Sequence, residues 1–274
     1  MAEKLDRRAL KDAVRQLLAQ AQVSPKGMTA LYLGIVAALN LVVDLSGSFL
    51  AGGVAGGIAT FLNILSMLVR VTLGAGFTLY CMAIRRGERT EYLTLFDAFS
   101  FVGKLIGLTL VTSLFIWLWS MLFVIPGIIA AYRYRFATLN LLENPDIGVM
   151  EALEMSKRQT YGYKAQLFAL DLSYFGWGFL ASIPAVVYNA VVQMEIQTAV
   201  LNGGGLAAIQ AAAARPVMGL PDAVWGLIIS LWGLAVSLFY LPNYQCVELD
   251  YFDAAKRTSG VSVPAARLDS PDGL

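Results

Sequence analysis

From Leu105 to Ile125 the chain runs without one charged side chain. A bilayer core about 30 Å thick needs ~20 apolar helical residues, so this stretch alone is enough for a crossing. Four further runs approach it. Ala223 to Val247 is uncharged and carries Pro242. Gln166 to Val192 is broken by Asp171 and Pro184. Ile58 to Ile84 is interrupted by Arg70, and Met28 to Ala51 by Asp44. Of 274 residues, 58% are apolar and 14% charged, against ~25% charged in a soluble domain. The pattern excludes a soluble globular domain and predicts an all-α, polytopic transmembrane helix bundle.

Charge distribution adds a sixth span. Lys4, Arg7, Arg8, Lys11, Arg15 and Lys26 precede Met28. Arg85, Arg86, Arg89 and Lys104 lie between the second and third runs, Lys157, Arg158 and Lys164 before Gln166, and Lys256, Arg257 and Arg267 after the last run. Counting 127–142 as a span puts all of these on one side and leaves Arg215 alone on the other, so the positive-inside rule places both termini in the cytoplasm. The expected spans are 28–51, 58–84, 105–125, 127–142, 166–192 and 223–247, with Pro126-Gly127 as an external turn. If the Pro126-Gly127 segment is instead re-entrant, there are five. The long charged leader argues against a cleaved signal peptide and for an uncleaved first anchor. Localisation in the cytoplasmic (inner) membrane follows.

Outside the spans, residues 1–27 carry a basic amphipathic helix, with Leu10, Val14, Leu17 and Leu18 at helical spacing. It either lies on anionic lipid or packs on the inner ends of the spans. A cytoplasmic helix is expected over 147–160, N-capped by Asp146, with Glu154 spaced to pair with Lys157 and Arg158. The external segment 193–222 holds a flexible Gly203-Gly204-Gly205 joint and a short alanine-rich helix. Residues 248–274 form a cytoplasmic tail, disordered at its end. Trp225 suits an outer interfacial anchor, and Tyr32, Tyr161 and Tyr163 inner ones. Gly176-Trp177-Gly178 suits a close helix approach.

From Leu122 onward the chain resembles the domain-of-unknown-function 975 family of prokaryotic polytopic membrane proteins. The residues concerned are Ile125-Pro126-Gly127 with Tyr132 and Tyr134, Asn144-Pro145-Asp146, Glu151-Ala152-Leu153 with Ser156, and Gly162-Tyr163-Lys164. Leu167-Phe168, Asp171-Leu172-Ser173, Gly176-Trp177, Pro242-Asn243-Tyr244 and Tyr251-Phe252 continue it. Together they cover roughly residues 85–257, and many members carry a histidine where this chain has Tyr163. The resemblance implies a helical membrane domain and no particular activity.

The chain has no histidine and two cysteines, Cys81 and Cys246. Histidine-activated nucleophiles and histidine metal sites are therefore excluded, and no zinc cluster or disulfide framework is expected. Neither catalytic residues, nor a metal, nor a cofactor, nor nucleic acid is expected. Ionisable groups inside a bilayer are costly and mark candidate sites; here they are Asp44, Arg70, Arg133, Arg135 and Asp171. Counting ~1.5 Å per residue matches Asp44 in depth with Arg133, and Arg70 with Asp171, which predicts two salt bridges. Arg133 and Arg135 project about 200° apart, leaving Arg135 to meet water, lipid phosphate or an anion. The expected function is a non-enzymatic bundle that binds a lipid or amphiphile or docks a partner protein. The alternative is a small transporter or exporter using the intramembrane charges.

Overall fold

The computed structural model describes residues 2–49, 53–213 and 215–261. Among the described residues ten helices stand in chain order: α1 Arg7–Ala19, α2 Pro25–Phe49, α3 Gly53–Arg86, α4 Val102–Leu122, α5 Val124–Arg133, α6 Ala137–Glu143, α7 Val149–Gln159, α8 Lys164–Leu201, α9 Leu206–Ala213 and α10 Asp222–Ser259. A 3₁₀ segment, Tyr92–Phe101, precedes α4. No β-strand occurs among the described residues. The chain forms two compact units, residues 1–172 with 241–274, and residues 173–240. Among the described residues five helical stretches are long and apolar enough to cross a membrane: Pro25–Val43, Gly56–Arg86, Tyr92–Leu122, Lys164–Leu201 and Val224–Ser259. They contain five of the expected spans, or most of each.

The segment 127–142 differs from expectation. It is not one helix but α5 and α6, broken at Tyr134, Arg135 and Phe136. The reversal after α4 is made by Phe123 in extended backbone (φ −163°, ψ 156°), not by Pro126-Gly127. Pro126 instead occupies the first turn of α5, where no intrahelical N–H is needed. Gly127 serves close packing: a Cβ there would sit 2.1 Å from Ser120 Oγ. From that point the chain retraces α4. Gly127 meets Ser120, Tyr134 stacks on Phe115 at 5.8 Å, and the Pro145 carbonyl accepts from Lys104 Nζ. The pair α5–α6 thus runs antiparallel along the full length of α4.

The first unit keeps its core at its charged end. Its fully buried large side chains include Tyr80, Leu95, Phe136, Tyr163, Tyr251 and Phe252. Gly76 carries the tightest approach there, since a Cβ would lie 1.9 Å from the Leu95 carbonyl oxygen. Residues 248–259, read from sequence as tail, continue α10 and supply buried Leu249, Tyr251, Phe252, Ala254 and Ala255; residues 262–274 lie outside the described residues. The same end receives the N-terminal segment. Tyr163 OH accepts from Glu3 N–H (3.0 Å). Gln166 accepts from Leu5 N–H (3.2 Å) and donates to the Glu3 carbonyl (2.9 Å). Asn243 donates to the Lys11 carbonyl (3.2 Å), and Arg257 pairs with Glu3 (3.5 Å). Of the two expected positions for α1, the structure shows packing on protein, with Val14 buried. Burial and the neighbouring Arg7 guanidinium push the Lys11 ammonium below its ordinary pKa. Tyr163 is therefore a buried junction rather than an interfacial anchor; Tyr32 stacks on Phe77 at 5.4 Å, and Tyr161 is exposed.

Helix α7 starts later than expected, at Val149. Gly148, in extended backbone, stands at its N-cap without a side-chain cap, and its own N–H donates to the Glu151 carboxylate (3.4 Å). Asp146 donates its own N–H to Asn144 Oδ1 (2.9 Å) instead of capping. The Glu154 pairs with Lys157 (3.6 Å) and Arg158 (3.5 Å) form as expected.

The second unit is a zip of aromatic contacts between the two halves of its chain. Trp177 stacks on Phe239 and Tyr240 at 6.5 and 6.1 Å, and Trp232 Nε1 donates to the Leu180 carbonyl at 2.8 Å. Gly176 and Gly178 have open space around them, so no close helix approach occurs there. Trp225 is buried, with Nε1 donating to the Val217 carbonyl (2.9 Å), and is no interfacial anchor. Gly203 (φ +71°) caps α8: its N–H donates to Val200 O at 3.0 Å and Gly204 N–H to Ala199 O at 2.9 Å. The expected flexible joint is thus a structured helix end.

Candidate functional site

The break between α5 and α6 creates the site. Where a helix stops inside a bundle, its orphan carbonyls need donors. The Arg133 carbonyl accepts from Ser156 Oγ (2.9 Å) and Thr160 Oγ1 (3.2 Å), and Ser156 Oγ in turn accepts from Phe136 N–H (3.1 Å). One turn further, Asn140 and Gln159 exchange amide hydrogen bonds at 2.8 and 2.9 Å. Helix α7 therefore satisfies the break with fully buried Ser156, Gln159 and Thr160.

Arg135 sits in this break. Its Nη1 and Nη2 donate to the two oxygens of Asp171 at 2.6 and 2.9 Å. Its Nε donates to Glu248 Oε1 at 2.5 Å, and Nη2 also meets Tyr244 OH. Tyr132 OH and Tyr244 OH donate to Asp171 at 2.6 and 2.8 Å, one to each oxygen. The guanidinium carbon lies 5.5 Å and 6.0 Å from the Tyr132 and Tyr244 ring centroids. Glu248 Oε2 accepts from Gln245 at 3.3 Å. A bidentate pair in a low-dielectric setting is the strong form of this interaction. The α5 C-terminus beside it favours a cation. With one guanidinium and two carboxylates, the cluster carries one negative charge when all three are ionised.

Of the five residues predicted for a charge network, the structure joins Arg135 and Asp171. The predicted Arg70–Asp171 bridge is absent, because Asp171 is taken by Arg135. Arg70 donates to Asn40 Oδ1 (3.0 Å) and to the Ser66 carbonyl (3.3 Å). Arg135 is not the arginine left to water or an anion; it has the fullest set of partners among them. Arg133 is half-buried. Asp44 lies in α2, but its side chain, and with it the predicted Asp44–Arg133 bridge, falls outside the described residues. Sequence reasoning missed Glu248, which follows directly on the expected end of the last span. It lies one helical turn after Tyr244, so both reach the same face. Tyr132 and Tyr244 were singled out only by resemblance. No group of His, Cys, Asp and Glu suited to a metal ion occurs among the described residues.

The family model described as "Protein of unknown function (DUF975)" matches residues 120–256. No curated protein and no solved structure matches the chain. The matched stretch begins in the last turn of α4 and ends three residues short of the end of α10, so it contains every member of the Arg135 cluster and all of α7. Its long apolar helices are those of a membrane protein. With half of its length matched, the chain belongs to the DUF975 family of proteins of unknown function.

Proposed function

We propose that this chain is a multi-pass protein of the cytoplasmic membrane that works by binding rather than by catalysis, and that its ligand is an amphiphile. The observation that carries this reading is the division of chemistry along α3. Arg85 and Arg86 stand in its last turn, while Ile58, Phe61, Ile64 and Met67 present exposed apolar side chains along its first half. A molecule with a charged head and an apolar body matches both parts at once. Against catalysis, both oxygens of Asp171 are held by Arg135 and the two tyrosines, and Glu248 Oε1 by Arg135, so neither carboxylate of the cluster stands as a free base. Six crossings, with α5–α6 as a broken one, put both termini in the cytoplasm. The contact between Glu3 and Arg257 agrees with that parity. Native mass spectrometry of protein extracted in mild detergent is expected to show retained lipid; protein released free of any amphiphile would overturn the reading.

A second reading, a small transporter, is favoured by the excess negative charge of the Arg135 cluster. A protonatable site of that kind couples naturally to ion movement. On this reading Asp171→Asn abolishes solute flux in vesicles that the unaltered protein supports. Flux that survives the substitution, or no flux from the unaltered protein, removes it.

A further inference from the structure

A second set of charges, outside the Arg135 cluster, occupies the charged end of the first unit. Arg85 bridges Asp250 (2.5 Å) and Asp253 (2.8 Å), and Lys256 bridges Asp253 (2.9 Å) and Glu143 (2.7 Å). Arg86 approaches Glu143 at 3.5 Å and Glu88 at 3.8 Å. The signs alternate without interruption from Asp250 to Glu88. Beside this ladder lies a cavity of about 200 Å³, walled by α3, the end of α6 and α10, with Met82 and Phe252 among its apolar lining.

Three properties select a ligand. Pockets for drug-sized molecules run from ~300 Å³ upward, so the volume suits a small molecule or a headgroup. The lining itself holds Arg85, Arg86 and Lys256 together with Glu143 and Asp253, so a ligand with both an anionic and a cationic group finds partners for each. Two groups are under-engaged, and they have opposite sign. Glu143 Oε2 is buried with no hydrogen-bond partner among the described residues, although Oε1 accepts from Lys256. Arg86 has only the long contacts above, where Arg85 and Lys256 have short ones. A buried carboxylate oxygen calls for a donor, and a glutamate's last torsion is broad enough to turn that oxygen into the cavity.

We propose that this cavity binds a zwitterion in which a phosphate is joined to a primary ammonium by a short linker. The ammonium donates to Glu143 and the phosphate accepts from Arg86, while Lys256 stays on Asp253 over the Phe252 ring, 4.5 Å from its centroid. Glu143 needs N–H donors, which a primary ammonium has and a quaternary one lacks. The proposal rests on the amphiphile reading when the zwitterion is a lipid headgroup; a free phosphoethanolamine has the same chemistry.

The test places the full chain in nanodiscs of mixed phosphatidylethanolamine, phosphatidylcholine and phosphatidylglycerol, and identifies retained lipid by native mass spectrometry. Thermal stabilisation by free phosphoethanolamine is measured in parallel in detergent. Phosphatidylethanolamine is expected to be retained about tenfold over the other two, the worth of one charge-assisted hydrogen bond. Glu143→Gln and Arg86→Gln should each erase that preference. Arg86 is half exposed, so its variant keeps the test meaningful should Glu143→Gln fail to fold. Stabilisation by phosphoethanolamine that both variants lose supports the site with a soluble ligand. Lipid retained without preference, or a preference that both variants keep, overturns the site and leaves the amphiphile reading standing. No retained lipid and no stabilisation overturns both.

Discussion

An Arg135→Met variant is expected to lose about 3–5 kcal/mol of unfolding free energy, the usual cost of removing one partner from a buried ion pair. The reason is what it leaves behind. Asp171 and Glu248 would face each other without the guanidinium that bonds both, and the Tyr132 and Tyr244 hydroxyls would remain beside a carboxylate with less reason to stay ionised. Replacing the whole charge set is expected to hurt less than replacing its centre. Arg135→Met combined with Asp171→Asn and Glu248→Gln should recover part of the loss, because no unpaired charge then remains. Denaturation of the purified protein in detergent checks both. A single variant within about 1 kcal/mol of the unaltered protein would mean that the cluster is open to water, since exposed pairs contribute no more than that.

Gly76→Val is expected to be the second most damaging substitution. Overpacked positions typically cost ~1–3 kcal/mol, and more where nothing can move. Here the atom in the way is backbone, the Leu95 carbonyl oxygen 1.9 Å from the new Cβ, within a 3₁₀ segment whose Leu95 and Ala98 side chains are themselves buried. Gly176→Ala, in open space, serves as the control and should change little. Equal stability of the two variants in the same thermal assay would show that the 3₁₀ segment is free to withdraw from α3.

The long apolar runs were legible because the bilayer's thickness sets a length that few other structures need, and a helix covers each of the five continuous spans or most of it. The break at Arg135 was not legible. Residues 127–142 have enough apolar character for a helix, and what stops it is a set of hydroxyls on α7 arriving from about twenty residues away. Depth counting paired Arg70 with Asp171 because it treated every span as a straight rod measured from its outer turn. It could not see that Asp171 and Arg135 share a level, since the true reversal is at Phe123 and the chain is irregular at 134–136. Glu248 was missed for a related reason. Charges after Val247 were read as the start of a tail, whereas the helix continues and carries its best-buried residues there. Aromatic residues misled in the same direction: Trp225 and Tyr163 have interfacial composition but buried, hydrogen-bonded positions.

The clasp of residues 3–11 onto α8 and α10 sets an order of assembly. Its partners lie about 160 to 250 positions downstream, and contacts of such separation form late, after the intervening loop has been closed. During synthesis this basic stretch is made before its partners and is secured after them. Until α10 is in place, residues 3–11 lack Asn243 and Arg257, so closure of the clasp follows the completion of that helix.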